Sequence, residues 1–237
     1  MPARCGGAFA ARVAAVSAGP DGFSAQTRAY LRGISAPEAP ILAEIRAQTA
    51  AHRAGNMAVA PEQAALLAWL ARLIGAERYL EIGVFAGYSS TAMALALPEH
   101  GRLSCCDINI TFAQMARQNW QKAGVEHKIS LYLQPALITL RELAEAGESG
   151  SYDMALIDAD KPFIPQYYEA CLPLVRSGGI IAIDNVLSHG RVVSSDRPDA
   201  PPGHARLHAF NAALPQDGRV HVLALPLGDG LTLLMKQ

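Results

Sequence analysis

Two apolar runs in this chain end in side chains suited to a hard cation. One reads Ile157-Asp158-Ala159-Asp160-Lys161 and the other Ile183-Asp184-Asn185. If both runs are strands of one sheet, they deliver three carboxylates, an amide and a lysine to one rim. Asp158, Asp184 and Asn185 would then converge. Oxygen donors without Cys or His suit Mg²⁺, with Mn²⁺ or Ca²⁺ as alternatives. Water and two substrate oxygens would complete an octahedron. The plainer alternative is that these acids cap the helices that follow, an ordinary role for Asp160 in particular. Apolar strands ending in paired acids rarely need them for folding, which favours the metal for Asp158, Asp184 and Asn185. Lys161 could take a proton from a phenol held there, or could be a solvated loop lysine.

A second group lies upstream. Glu81-Ile82-Gly83-Val84-Phe85-Ala86-Gly87 has the spacing G-x-x-x-G, with an acid before the first glycine. A diphosphate wants helix N-terminal amides and no carboxylate nearby. Glu81 is better matched to a cationic ligand. Asp107, twenty positions beyond Gly87, ends another apolar run. An acid there can accept both hydrogen bonds of a ribose diol. Each feature alone is weak, and together they favour an adenosine-type ligand.

These residues need a scaffold. Short apolar runs at 78–83, 102–107, 129–133, 152–157 and 180–183 read as strands. Helical patterns at 89–97, 111–123, 136–146 and 165–175 separate them. Such alternation implies a parallel sheet with helices on both faces. Runs at 220–225 and 230–235, joined by a short turn, should form an antiparallel pair. The prediction is an α/β fold with a seven-stranded, mostly parallel sheet. Ligands would sit at the carboxyl ends of its strands, where strand order reverses. Ahead of the sheet, helices are expected from Ser24 to 31, over 37–51, and from Pro61 to about Gly75.

The 237 residues are 51% hydrophobic and 17% charged, with a net charge of −1. Nothing in that balance calls for nucleic acid or an anionic membrane. No run reaches the length of a membrane span. Residues 1–20 lack the apolar core of a signal peptide and read as a tail. Of the four cysteines, Cys5, Cys105, Cys106 and Cys171, none forms a C-x-x-C pair. Cys105 and Cys106 should face opposite sides of a strand, as buried reduced thiols in a cytoplasmic setting. His204 and His208 have i,i+4 spacing, and a solvated helix face is expected rather than a zinc site. His189 and Arg191 border the metal motif or are ordinary loop residues. The stretch 186–203 carries no motif that names an acceptor.

Taken together, LEIGVFAGYSS (80–90), GRLSCCDIN (101–109), AGVEHKI (123–129), YDMALIDADK (152–161) and SGGIIAIDNVLSHGRV resemble the cation-dependent O-methyltransferases. That family includes caffeoyl-CoA and bacterial catechol-type enzymes. The resemblance runs over roughly residues 27–236, with Asn56, Met57 and Gln63 also matching. It implies a Rossmann-like class I fold, a tail over 1–22 and one domain over 23–237. Within that domain, cap helices would span 23–75 and the core 76–237. It also implies S-adenosylmethionine as cofactor. Glu81, Gly83 and Ser89 would contact its amino-acid end, Val59 its methionine part and Asp107 its ribose. Ala136 would lie near the adenine, and Asp158 and Asp160 near the cofactor. Asp158, Asp184 and Asn185 match the metal ligands, and Lys161 the general base. Homodimers are the family habit. Two departures stand out: Ser188 replaces a common Trp, which should open the rim, and Gln134 replaces a common Gly.

The expected activity is metal-dependent O-methylation of a vicinal diphenol, with no nucleic-acid or membrane partner. The alternatives are methylation of a hydroxylated tRNA base, a nicotinamide-dependent oxidoreductase, and a binding module without catalysis.

Overall fold

In a computed structural model, residues 24–194 and 201–237 are described. The expected tail over 1–22 and part of the 186–203 stretch lie outside them. Two compact units are distinguished, Met1–Glu38 and Ala39–Gln237. The cap segment expected over 23–75 is therefore divided between them. The first unit contributes α1 (Ala25–Gly33), started by Ser24, whose Oγ accepts from Thr27 N at 3.0 Å.

The second unit opens with α2 (Pro40–Ala50) and α3 (Pro61–Leu73). Proline begins both, where its missing N–H costs nothing. Strand and helix then alternate: β1 (Arg78–Ile82), α4 (Tyr88–Ala96), β2 (Arg102–Asp107), α5 (Ile110–Lys122) and β3 (Ile129–Leu133). They continue as α6 (Ala136–Glu145), β4 (Tyr152–Ile157), α7 (Ile164–Leu174), β5 (Val175–Asp184), α8 (Pro202–Ala213), β6 (Val220–Leu225) and β7 (Leu231–Lys236).

The seven strands lie in the order β3-β2-β1-β4-β5-β7-β6. Strands β1 to β5 are parallel to one another, whereas β7 runs antiparallel to both β5 and β6. The order reverses between β1 and β4, where Ile82 pairs with Ile157. Glu81, Gly83, Asp107, Asp158 and Asp184 thereby reach the same edge of the sheet.

Each face carries its own core. Leu80, Ile82, Cys106, Ile157 and Ile183 pack with Tyr168, Cys171 and Leu207. On the opposite face Tyr79, Leu103, Cys105 and Leu156 pack with Leu67, Met93 and Trp120. Each fully buried aliphatic side chain contributes roughly 1.5–3 kcal/mol. Cys105 and Cys106 do point to opposite faces. Burial raises both thiols, Cys106 to about 12, and raises Cys171 as well.

Three details depart from expectation. Strand β5 begins at Val175 rather than 180: after Tyr152↔Val175 the pairing slips and resumes at Met154↔Ile180. The slip accommodates Arg176-Ser177-Gly178-Gly179, which hides the strand's first half from a pattern reading. The helix α8 begins at Pro202, inside the stretch 186–203 for which no motif was found. Its histidines are not on a solvated face either. Both are half-buried because α8 lies against the 191–194 turn; His208 Nδ1 is 3.1 Å from Val192 O, and His204 Nδ1 is buried without a partner. No helix among the described residues is long and apolar enough to cross a membrane.

Candidate active site

A cavity of about 780 Å³ opens where β1, β2, β4 and β5 end. Nine of the eleven residues singled out by sequence line it: Val59, Gly83, Ser89, Asp107, Ala136, Asp158, Asp160, Lys161 and Asn185. Glu81 and Asp184 stand behind its wall, 0% and 3% exposed.

At the β1 and β2 side the backbone comes close to the carboxylates. Gly83 has φ +91°, and a Cβ there would run into the Asp158 carbonyl. Only glycine satisfies both demands. Asp107 Oδ2 accepts from Val84 N at 3.0 Å and Phe85 N at 3.1 Å, and its Oδ1 from Asn109 N at 2.8 Å. The acid expected to hold a ribose thus also shapes the loop around it, and a carboxylate keeps lone pairs beyond those three bonds. Glu81 Oε1 accepts from Ser89 Oγ at 2.9 Å, while Oε2 is buried without a hydrogen-bond partner. Burial raises the Glu81 carboxyl to about 8, with Ser89 opposing the rise. An orphaned carboxylate oxygen beneath the cavity floor suits a cationic amino group, so this half fits S-adenosylmethionine.

At the β4 and β5 side, burial raises the carboxyls of both Asp158 and Asp184, and the charge of Asp184 raises Asp158 further. Asp184 Oδ1 accepts from Asn185 N and from Gln63 Nε2, each at 2.6 Å. Lys161 Nζ donates to Asn185 Oδ1 at 2.6 Å. Asp160 Oδ1 accepts from Tyr167 OH at 2.8 Å. Among the described residues no three His, Cys, Asp or Glu side chains form a metal cluster. The set expected here has two carboxylates and an amide. Two carboxylates crowded away from water are a donor set that a divalent cation would neutralise, so the chemistry fits a hard metal.

Backbone strain concentrates at this rim. Among the described residues the non-glycine positions with positive φ are Phe85 (48°), Asn185 (56°), Ser188 (47°) and His189 (57°). Such conformations cost energy and persist where the surroundings enforce them. Here Asp229 enforces one, its Oδ1 and Oδ2 accepting from His189 N at 2.7 and 2.9 Å. His189 lines the cavity and Arg191 does not. Ser188 is 6% exposed and is not among the residues that line the cavity. Gln134 lines the wall and donates to Thr139 Oγ1 and Glu142 Oε2.

Sequence reasoning assigned no role to Gln63, Tyr167 or the aromatic group of His52, Phe85 and Phe112, whose two phenyl rings meet edge to face at 4.7 Å. Gln63 lies within a matched motif, the only signal available. The others carry none.

A family model described as O-methyltransferase matches residues 32–237. The chain belongs to this O-methyltransferase family. With membership comes the enzyme class, methyl transfer from S-adenosylmethionine to oxygen, which replaces the oxidoreductase and binding-module alternatives. Among relatives, the catechol O-methyltransferase domain-containing protein 1 of Mus musculus is 44% identical over 207 residues, 87% of this chain and 78% of that protein. The probable caffeoyl-CoA O-methyltransferase 1 of Dictyostelium discoideum is 45% identical, covering 74% and 76%. Among solved structures, the O-methyltransferase TomG of Streptomyces achromogenes, in complex with SAM, aligns with a TM-score of 0.79 at 34% identity, covering 90% and 96%.

Proposed function

We propose that this O-methyltransferase acts on one hydroxyl of a vicinal diphenol and requires a divalent cation, Mg²⁺ with Mn²⁺ or Ca²⁺ as substitutes. The observation that carries the reading is the pairing of half-buried Asp158 with buried Asp184 at neighbouring strand ends, with Asn185 and Lys161 beside them. Printed names of relatives point the same way, to catechol and caffeoyl-CoA substrates.

In this reading Glu81, Gly83, Ser89 and Val59 hold the amino-acid end of the cofactor, Asp107 the ribose, and Ala136 and Asp160 the remaining wall. Asp158, Asp184 and Asn185 hold the cation. When bound, the cofactor supplies a methyl group already activated on a cationic sulfur, and the cation supplies Lewis acidity toward two adjacent oxygens. Lys161 Nζ takes the proton from the reacting hydroxyl. Phe85 and Tyr167 help wall the cavity from bulk water. The protein's largest contribution is alignment, worth about 7–11 kcal/mol when complete.

The test is methyl transfer from labelled cofactor to diphenols, their CoA esters and total tRNA, with Mg²⁺ and with EDTA. Transfer to diphenols that stops in EDTA and returns with Mg²⁺ supports the reading. Full activity in EDTA overturns the metal, and labelling confined to tRNA overturns the small-molecule acceptor. A homodimer in the cytoplasm is part of the proposal; sedimentation reads the first, and a monomer overturns it.

A further inference from the structure

We infer that Gln63 is a positioning residue for the cation site, fixing which oxygen of Asp184 is presented to the ion. This rests on the metal reading above. Gln63 stands in the first turn of α3, 121 positions before Asp184, and is 2% exposed. Its amide is oriented from both ends. Oε1 accepts from Ala60 N at 3.1 Å, and Nε2 donates to Asp184 Oδ1 at 2.6 Å. A flipped amide would set oxygen against carboxylate and N–H against N–H, so the assignment is fixed by its partners.

The position is built for this contact. Ala60 caps α3 with no polar side chain, and Gln63 Oε1 satisfies its backbone N–H. In the turn between β6 and β7, Gly228 has φ +60°, and a Cβ there would collide with the Gln63 amide. Three separate segments thus meet at one side chain. Their joint effect falls on Asp184. Both hydrogen bonds described for this carboxylate, from Gln63 and from Asn185 N, land on Oδ1. Oδ2 is left for a cation, and the side chain cannot rotate without breaking both bonds. Partners that orient a ligand in this way typically change metal affinity by about 10- to 100-fold when removed.

The experiment titrates cofactor-free protein with Mn²⁺ in the presence of S-adenosylhomocysteine, following free Mn²⁺ by electron paramagnetic resonance. S-adenosylhomocysteine affinity is measured separately by calorimetry. Gln63→Met should weaken Mn²⁺ binding about 10- to 100-fold and leave S-adenosylhomocysteine affinity within about twofold. Methyl transfer should fall at low Mg²⁺ and recover at saturating Mg²⁺. Unchanged Mn²⁺ affinity overturns the inference, as does an equal loss of both affinities, which would mark general distortion. If Gln63→Met does not fold, Gly228→Ala displaces the same amide with every proposed ligand retained. It should weaken Mn²⁺ in the same direction, and unaltered binding there overturns the inference equally. A wild-type chain that takes up no Mn²⁺ while still binding S-adenosylhomocysteine overturns the metal reading, and this inference with it.

Discussion

The two halves of the cavity treat their carboxylates in opposite ways. On the β1 and β2 side, Asp107 is surrounded by three backbone N–H donors before any ligand arrives. On the β4 and β5 side, Asp158 and Asp184 are pressed together out of water, and burial drives both toward their protonated forms. In the first half Asp107 is satisfied by its own loop, while Glu81 keeps Oε2 without a partner. The second is a charge arrangement whose balance needs a positive partner beyond Lys161. The contrast teaches where the fold is self-sufficient: the loop around Asp107 is shaped by its own amides, whereas acids crowded together carry a desolvation cost that their own hydrogen bonds do not remove.

The largest expected effect attacks the second half. Replacing Asp158 and Asp184 together with Ala should lower methyl transfer roughly a thousand-fold, from loss of several kcal/mol of metal-supplied stabilisation. Asp158→Ala alone, in cofactor-free protein, should melt no lower than the wild type, since a desolvated carboxyl group is gone. A clear drop in melting temperature would mean that acid serves the fold, and the contrast would break. Next, Lys161→Met should slow transfer about a hundred-fold or more with little change in cofactor affinity. Loss of cofactor binding instead would assign Lys161 to the other half.

A smaller effect is expected at Asp107. Asp107→Ala removes a charged acceptor from three backbone amides. Melting temperature and S-adenosylhomocysteine affinity should therefore fall together. An affinity loss with unchanged melting would show that the amides do not depend on this acid. The smallest is a pH effect at Glu81. Its folded carboxyl titrates at about 8 against an ordinary 4.5, so the folded state holds the extra proton between those values. Stability of the cofactor-free protein must then decline as pH rises through that window. Glu81→Gln should flatten the decline, and parallel profiles for both proteins would remove Glu81 from the account.

Much of this was legible in the sequence, for identifiable reasons. Strands β1, β2 and β4 are short apolar runs closed by glycine or acid, β3 gives way to Gln134-Pro135, and β2, β3 and β4 fall where the pattern puts them. Strand β5 was half legible because Arg176-Ser177-Gly178-Gly179 interrupts its apolar pattern while Asp153 holds it by Arg176 Nε at 2.6 Å. Helix α8 was legible only through the i,i+4 spacing of His204 and His208, because its apolar residues gather on no stripe and only Leu207 is buried. The site acids could be found because they end strands. Gln63 could not, since its partner is fixed by tertiary packing rather than by local spacing.

Strand β7 follows β6 in the chain yet lies inside the sheet, between β6 and β5. The turn that precedes it also fastens the segment after Asp184, through Val186 N to Gly230 O and Leu187 N to Asp229 O. During synthesis, then, β5 and its acids emerge long before the strand and turn that hold them in place. The catalytic edge acquires its final shape only after the chain has been translated through residue 236, and β6 must wait unpaired until that moment.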